Sequence, residues 1–191
     1  MKTPFAAALL AGGRSKRMGS DKALLHWHGQ DLWQAQMHKL QSLGAKRVLL
    51  SCRREQPLFP GDGVEIMHDP EGVDVGPLGA ITRCLERVQM PLLVLAVDMP
   101  WMTTAFLLEH LVPQDNSPPG KFFRGPHGAE TLVGLYVPAL LPLMQTALRE
   151  KHLALQPIIK ACVHSGLAVT NVLGEDQTPF FHNANTPGDL K

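Results

Sequence analysis

The sequence predicts a three-layer α/β fold, a mostly parallel, doubly wound sheet with helices on both faces, and three observations carry that expectation. Two apolar runs, Phe5 to Ala11 and Leu92 to Val97, are continuous rather than alternating, the composition of parallel strands buried on both faces. Apolar runs are followed by a loop and then by apolar residues at helical spacing, and this succession recurs at least three times. Finally, 191 residues with 45% hydrophobic side chains can bury roughly 70% of the surface an unfolded chain exposes. One domain over 1–191 is therefore expected, without a disulfide or a structural metal.

In chain order, Phe5 to Ala11 forms the first strand and ends in a glycine-rich, basic loop. Asp31 caps a helix whose apolar residues Leu32, Trp33, Met37, Leu40 and Leu43 share one face, and Gly44 suits its exit. Arg47 to Cys52 is the second strand, and a loop marked by Pro57, Pro60 and Gly61 leads to a short strand over Val64 to Met67. Pro77 pre-sets the first turn of a helix carrying Leu78, Ile81, Leu85 and Val88. Leu92 to Val97 is a central strand that stops at Asp98-Met99-Pro100, and Thr103 or Thr104 caps the helix after it. Asp115 to Gly120 is the most linker-like stretch and reads as the opening of a variable lobe, with an insertion-like segment from Pro113 to Gly128. Glu130 to Val137 reads as a strand, Pro138 to Arg149 and Leu155 to Val163 as helices, and Leu167 to Val172 with Phe180 to His182 as late strands.

Charge narrows the function classes. Eighteen Lys and Arg against seventeen Asp and Glu leave a formal net charge of +1, so nothing electrostatic favours nonspecific nucleic acid or an anionic membrane. The three cysteines, Cys52, Cys84 and Cys162, are far apart and outside Cys-x-x-Cys spacing, which fits a reducing cytoplasm rather than a disulfide framework or zinc ribbon. No apolar run reaches the ~20 residues of a membrane helix. The apolar start reads as a buried strand and not as an export signal.

In open α/β sheets ligands sit at the carboxyl ends of the strands, a rule that gathers residues 12–22, Ser51, Asp69 and Asp98 in one crevice. From Leu10 to Lys22, seven of thirteen residues are glycine or cationic. Glycines let backbone N–H groups approach phosphate oxygens, and Arg14, Arg17 and Lys22 can neutralise charge on a leaving pyrophosphate, so polyphosphate is the expected ligand. The segment has neither Walker A spacing nor G-x-G-x-x-G. Asp98 at a strand end suits magnesium, which takes one or two carboxylates plus substrate phosphates. Asp69 reads equally as a site carboxylate and as an Asp-Pro turn starter. Trp101 is balanced between stacking on a ligand and packing. His26 and His28 suggest a short exposed β segment, and His182 a structural histidine.

The run L-A-G-G-x-S-x-R-M-G-x-D-K-A-L-L at residues 10–25 resembles the signature of the nucleotidyltransferases that act on the molybdenum cofactor, and within them the guanylyltransferases. Gly76-Pro77-Leu78-Gly79, residues 96–100 (A-V-D-M-P) and residues 183–187 (N-A-N-T-P) extend the likeness over the whole chain. The resemblance implies a Rossmann-like fold of the nucleotide-diphospho-sugar transferase type, a nucleotide-binding half at about 1–112 and an acceptor-binding half at about 113–191. It implies transfer of GMP from GTP to molybdenum-molybdopterin with release of pyrophosphate, using magnesium or, as a substitute, manganese. It makes Leu10, Ala11, Gly12 and Gly13 the nucleotide loop, Lys22 a phosphate ligand, and Ser51, Asp69 and Asp98 nucleotide contacts. Asp98 and Asn185 become the metal side, with Arg17, Lys22 and Asp98 carrying the catalysis. Cofactor-pathway proteins and apo-molybdoenzymes are implied as partners.

Where family members often carry a proline, this chain reads Glu130-Thr131, on the acceptor side. The paired glycine after Leu-Ala resembles the guanylyl form, the cytidylyl relatives tending to alanine then glycine. The rival readings are a transferase using CTP with molybdopterin, one activating a sugar phosphate, and a non-catalytic nucleotide-binding adaptor. No strong acid or base is needed, because a phosphate monoester with a second pKa of ~6 is already largely anionic at neutral pH. In-line attack of the pterin's phosphate on the α-phosphorus of GTP then depends on positioning and charge neutralisation.

Overall fold

The structure, a computed structural model, describes residues 3–13, 21–72, 75–114, 119–126, 128–184 and 186–190. Its regular elements in chain order are β1 (Ala6–Leu10), β2 (His26–Trp27), β3 (Gln30–Asp31), α1 (Leu32–Gln41), β4 (Arg47–Cys52), β5 (Val64–His68) and α2 (Gly76–Val88). They continue with β6 (Leu92–Ala96), α3 (Thr104–His110), β7 (Gly120–Gly125), β8 (Gly128–Tyr136), α4 (Leu141–Arg149), α5 (Leu155–His164) and β9 (Ala168–Val172). Single 3-10 turns lie at Lys22–Leu24, Pro138–Leu140, Thr178–Phe181 and Pro187–Leu190.

Seven strands form one sheet in the order β5-β4-β1-β6-β8-β7-β9. The first four run parallel, β8 is antiparallel to β6 and β7, and β9 is parallel to β7. Every residue of β1 and β6 is buried, as their continuous apolar composition requires. The chain leaves β1 towards β4 on one side and returns to β6 on the other. Right-handed crossovers therefore put α1 and α2 on opposite faces, and a crevice opens at the carboxyl ends of β1 and β6.

Local chemistry sets the helix starts that matter for that crevice. At α1, the Asp31 N–H donates to Gln34 Oε1 at 3.0 Å, one arm of a capping box. Pro77 occupies the first turn of α2, and Thr103 Oγ1 accepts the Phe106 N–H at 3.1 Å to open α3. The β2–β3 ribbon is the short exposed β segment expected around His26. Among the described residues, no helix is long and apolar enough to cross a membrane.

Two expectations are corrected. The stretch 113–128 is not a separate lobe: residues 115–118 and 127 lie outside the described set, but Gly120–Gly125 is strand β7, inside the main sheet between β8 and β9. Gly134 makes room for it, since a Cβ there would lie 2.6 Å from Phe122 Cδ1. Phe180 to His182 is not a strand either. Pro179 lies in the first turn of the 3-10 segment Thr178–Phe181, which turns Phe181 into an aromatic cluster with Phe106 and Phe123 at centroid distances of 5.6 and 5.3 Å. The cluster brings the next residues to the crevice, where the Ala184 N–H donates to the Asp98 carbonyl at 2.8 Å.

Candidate active site

The crevice is built where β1 stops. The Ala11 and Gly12 N–H groups both donate to the Ser51 carbonyl on β4, at 2.8 and 3.0 Å, and the Val97 N–H donates to the Leu10 carbonyl at 3.0 Å. Thus the first two amides of the loop face β4, and Leu10 and Ala11, both buried, contribute backbone rather than side chain. Ser51 enters the same way. Its side chain is 1% exposed, and its carbonyl, not its hydroxyl, meets the loop.

Gly12 leaves room that a side chain would take: a Cβ there would lie 2.6 Å from Asp69 Oδ2, so the carboxylate would have to shift. Gly13 has φ +123°, a region that L side chains rarely adopt. Asp69 is held from two sides, its N–H donating to the Cys52 carbonyl at 2.9 Å and its Oδ1 accepting from Arg83 Nη2 at 2.7 Å. So the Asp-Pro pair is both a turn and a placed carboxylate at the loop's edge.

Across the crevice, Lys22 Nζ donates to Asp98 Oδ2 at 2.8 Å, with side chains 23% and 18% exposed. The pair joins residues 76 apart in sequence. Asp98 is backed by α1: Gln36, fully buried, donates Nε2 to the Met99 carbonyl at 2.7 Å and to that of Val97 at 3.4 Å. Lys39 Nζ donates to the Pro100 carbonyl at 2.6 Å and lies 5.2 Å from the Trp27 ring centroid. Burial pushes the Lys39 ammonium down to about 8.

The remaining expectations divide. Arg17 and Asn185 lie outside the described residues. Trp33 is buried packing, and Trp101 is half-buried next to Pro100. His182 is exposed. Thiol chemistry does not suit the site, because burial pushes Cys52 up to about 11 and Cys84 up to about 12, well above the range of a reactive thiolate.

Arg53, Gln56, Arg83 and Gln36 are the residues that sequence reasoning passed over. Arg53 sits one residue beyond β4, at a strand carboxyl end, and Gln36 is a polar residue amid the apolar positions Leu32, Trp33, Met37 and Leu40 of α1. Both signals were present in the pattern. Arg83 is unmarked, a half-buried residue among the polar positions Thr82, Glu86 and Arg87 of α2.

Among the described residues no group of three or more His, Cys, Asp or Glu could hold a metal ion. Zinc-type closed coordination therefore has no donor set among them, whereas the Asp98 carboxylate fits a hard cation that completes its shell with phosphates and water. Glycine turn, lysine and carboxylate at one crevice can bind a polyphosphate and take up charge as a pyrophosphate leaves.

Comparison with known proteins agrees with that chemistry. The model of the MobA-like NTP transferase domain matches residues 7–165. A probable molybdenum cofactor guanylyltransferase of Opitutus terrae is 32% identical over 189 residues, covering 97% of this chain and 92% of its own. The molybdenum cofactor guanylyltransferase of Xanthomonas euvesicatoria is 36% identical over 118 residues, 61% of this chain, and the match spans only 58% of that relative's length. Among solved structures, molybdopterin-guanine dinucleotide biosynthesis protein A of Archaeoglobus fulgidus has a TM-score of 0.76 at 20% identity, over 97% of this chain and 94% of its own, which shows the same fold. With that family model matching well over half of its length, including Gly12, Lys22, Asp69 and Asp98, the chain belongs to the MobA-like NTP transferases.

Proposed function

We propose that this nucleotidyltransferase transfers GMP from GTP to molybdenum-loaded molybdopterin, releasing pyrophosphate and forming molybdopterin guanine dinucleotide. The observation that carries the reading is the Lys22–Asp98 pair, 2.8 Å apart at the sheet's carboxyl edge. The acceptor and the base rest on what the curated relatives are named for, and the tight Gly12–Asp69 approach agrees with a loop that favours glycine over alanine at this position.

In this reading the nucleotide lies over Gly12 and Gly13, with Asp69 towards its nucleoside and Lys22 towards its phosphates. Before nucleotide binds, Lys22 and Asp98 neutralise one another, so neither charge is left uncompensated in a partly desolvated crevice. A triphosphate gives Lys22 a second anionic partner. Arg17, by its place in the motif, joins Lys22 on the departing pyrophosphate. Residues of about 1–112 bind the nucleotide and those of about 113–191 present the pterin, whose phosphate needs no general base because it is already anionic at neutral pH. Asp98, together with Asn185 by its place in the motif, would hold the divalent cation, magnesium or manganese, which when bound screens the phosphate charges from the incoming nucleophile. A cytoplasmic setting suits the three free, buried cysteines.

The test is pyrophosphate release from GTP and, separately, CTP, with magnesium and molybdenum-loaded molybdopterin. Release from GTP, not CTP, that falls by at least about a hundredfold in Asp98→Ala supports the reading, a hundredfold being about 2.7 kcal/mol of transition-state stabilisation. Equal turnover of CTP overturns the base assignment. Undiminished turnover in Asp98→Ala overturns the site.

A further inference from the structure

The two ends of the glycine-rich loop are tied to a single turn of another segment. Arg53 and Gln56 lie in the connection after β4. Arg53 donates Nη1 to the Gly13 carbonyl and Nη2 to Asp21 Oδ2, the latter at 2.9 Å. Gln56, only 7% exposed, donates Nε2 to the Ala11 carbonyl at 2.9 Å and to Asp21 Oδ2 at 2.7 Å, while its Oε1 accepts the Arg53 N–H at 2.7 Å. The other oxygen of Asp21 accepts the Ala23 N–H at 3.0 Å and so opens the 3-10 turn that carries Lys22.

The residues entering the loop, 11–13, and the residue leaving it, Asp21, therefore share the same two side chains. Both donors and the acceptor of a buried amide are engaged, and one carboxylate oxygen takes bonds from a guanidinium and an amide together. A solvated basic turn needs no such support. An arrangement that fixes Gly13 relative to Lys22 sets the distance between the two features that would meet a polyphosphate, and an arginine fork can span two acceptors where an ammonium cannot.

We propose that Arg53 and Gln56, acting through Asp21, are positioning residues that clasp the base of the nucleotide loop and thereby set affinity for the triphosphate rather than for the nucleoside. The inference rests on the proposed nucleotide role of the loop. It is tested by calorimetric titration of GTP and of GMP into the wild-type chain, Arg53→Met, Arg53→Lys and Gln56→Met, each first shown by circular dichroism to be folded at the titration temperature. Each variant is expected to lose about tenfold in GTP affinity, the scale of one charge-assisted hydrogen bond, and less than about twofold in GMP affinity.

Equal losses for GTP and GMP would mean general structural damage and overturn the clasp. Arg53→Lys retaining wild-type GTP affinity would mean that Arg53 serves as a simple cation on the phosphates, and that too overturns it. Should Gln56→Met not fold, the contrast between Arg53→Lys and Arg53→Met decides alone. A wild-type chain that binds GTP no better than GMP refutes the underlying functional reading instead, a result distinguishable from all the others.

Discussion

The contact between Gly12 and Asp69 turns a motif glycine into a quantitative prediction. In Gly12→Ala the new Cβ would meet Asp69 Oδ2 at 2.6 Å, where ordinary contact begins at 3.4 Å, so the carboxylate must retreat by about 0.8 Å, the difference of those two distances. It cannot retreat without cost, because Oδ1 is bonded to Arg83 at 2.7 Å and the backbone is bonded to Cys52. Weakening that charge-assisted bond, partly screened at side-chain exposures of 31% for Asp69 and 25% for Arg83, costs the fold about 1 kcal/mol, and the displaced Asp69 is expected to lose a nucleoside contact of similar size, roughly a fivefold rise in the KM for GTP. Stability should move little, because that cost is largely offset in the unfolded chain. Gly12 is not in the left-handed region, and alanine restricts the unfolded chain by about 0.4 to 1 kcal/mol. The assay is steady-state pyrophosphate release in a double-mutant cycle of Gly12→Ala with Arg83→Met. With Arg83 removed, Asp69 can swing away, and the added penalty of Gly12→Ala should fall below about twofold. A Gly12→Ala penalty of the same size with and without Arg83 would refute the reasoning, as would a melting temperature that falls in step with the activity.

Further outcomes follow from the same geometry. Gly13→Ala meets no atom within 4 Å, so its cost is purely the φ of +123°, about 1 to 3 kcal/mol; it is expected to lower GTP affinity and melting temperature together, in contrast to Gly12→Ala. Lys39 has a folded pKa of about 8 against an unfolded 10.5. Between those values the unfolded chain holds the proton and the folded one does not, so raising the pH through this window stabilises the fold. Below pH 8 both states carry the charge and the burial cost is borne in full. Melting curves of wild type and Lys39→Met from pH 7 to pH 10 should therefore shift in favour of the wild type as pH rises, and a constant difference would contradict the buried ammonium. Gln36→Leu removes the amide that holds the carbonyls on either side of Asp98 and leaves them buried without it. It is expected to lower kcat more than tenfold, with the KM for GTP within about threefold, since an interaction that matters mainly in the transition state shows in kcat.

The parts of the site that were legible in the sequence are those in which chemistry and local structure coincide. Gly12-Gly13 follows β1 and Asp98-Met99-Pro100 follows β6 because a fully buried parallel strand must end where its backbone can turn, and ligands gather at those ends. Lys22 was legible from its place in the glycine-rich basic run. Strand β7 was not, because a register shift between Phe122 and Phe123 breaks its alternation and its flanks are glycines, which reads as loop. Phe180 and Phe181 looked like a short apolar strand, but two aromatic residues after a proline satisfy a 3-10 turn equally well. The aromatic cluster decides between them, and its members come from α3, β7 and the C-terminal segment.

The supports of the site were hidden for a related reason. Asp98 meets Lys22 from the loop, is flanked by carbonyls bonded to Gln36 and Lys39 of α1, and has its own carbonyl bonded by Ala184 from near the chain's end. Four partners from three distant stretches thus converge on Asp98 and the backbone around it, and of these only Lys22 is marked by its own neighbours in sequence. The loop shows the same division, its glycines and lysine forming a motif while Arg53, Gln56 and Arg83 hold it from elsewhere. A carboxylate that must bind a cation and also surrender its lysine partner to a phosphate needs a fixed backbone, because its side chain cannot supply both the change of partner and the constancy of position. Charge exchange is thereby confined to the side chains of Lys22 and Asp98, and the packing of α1 and the C-terminal segment keeps the frame beneath them still.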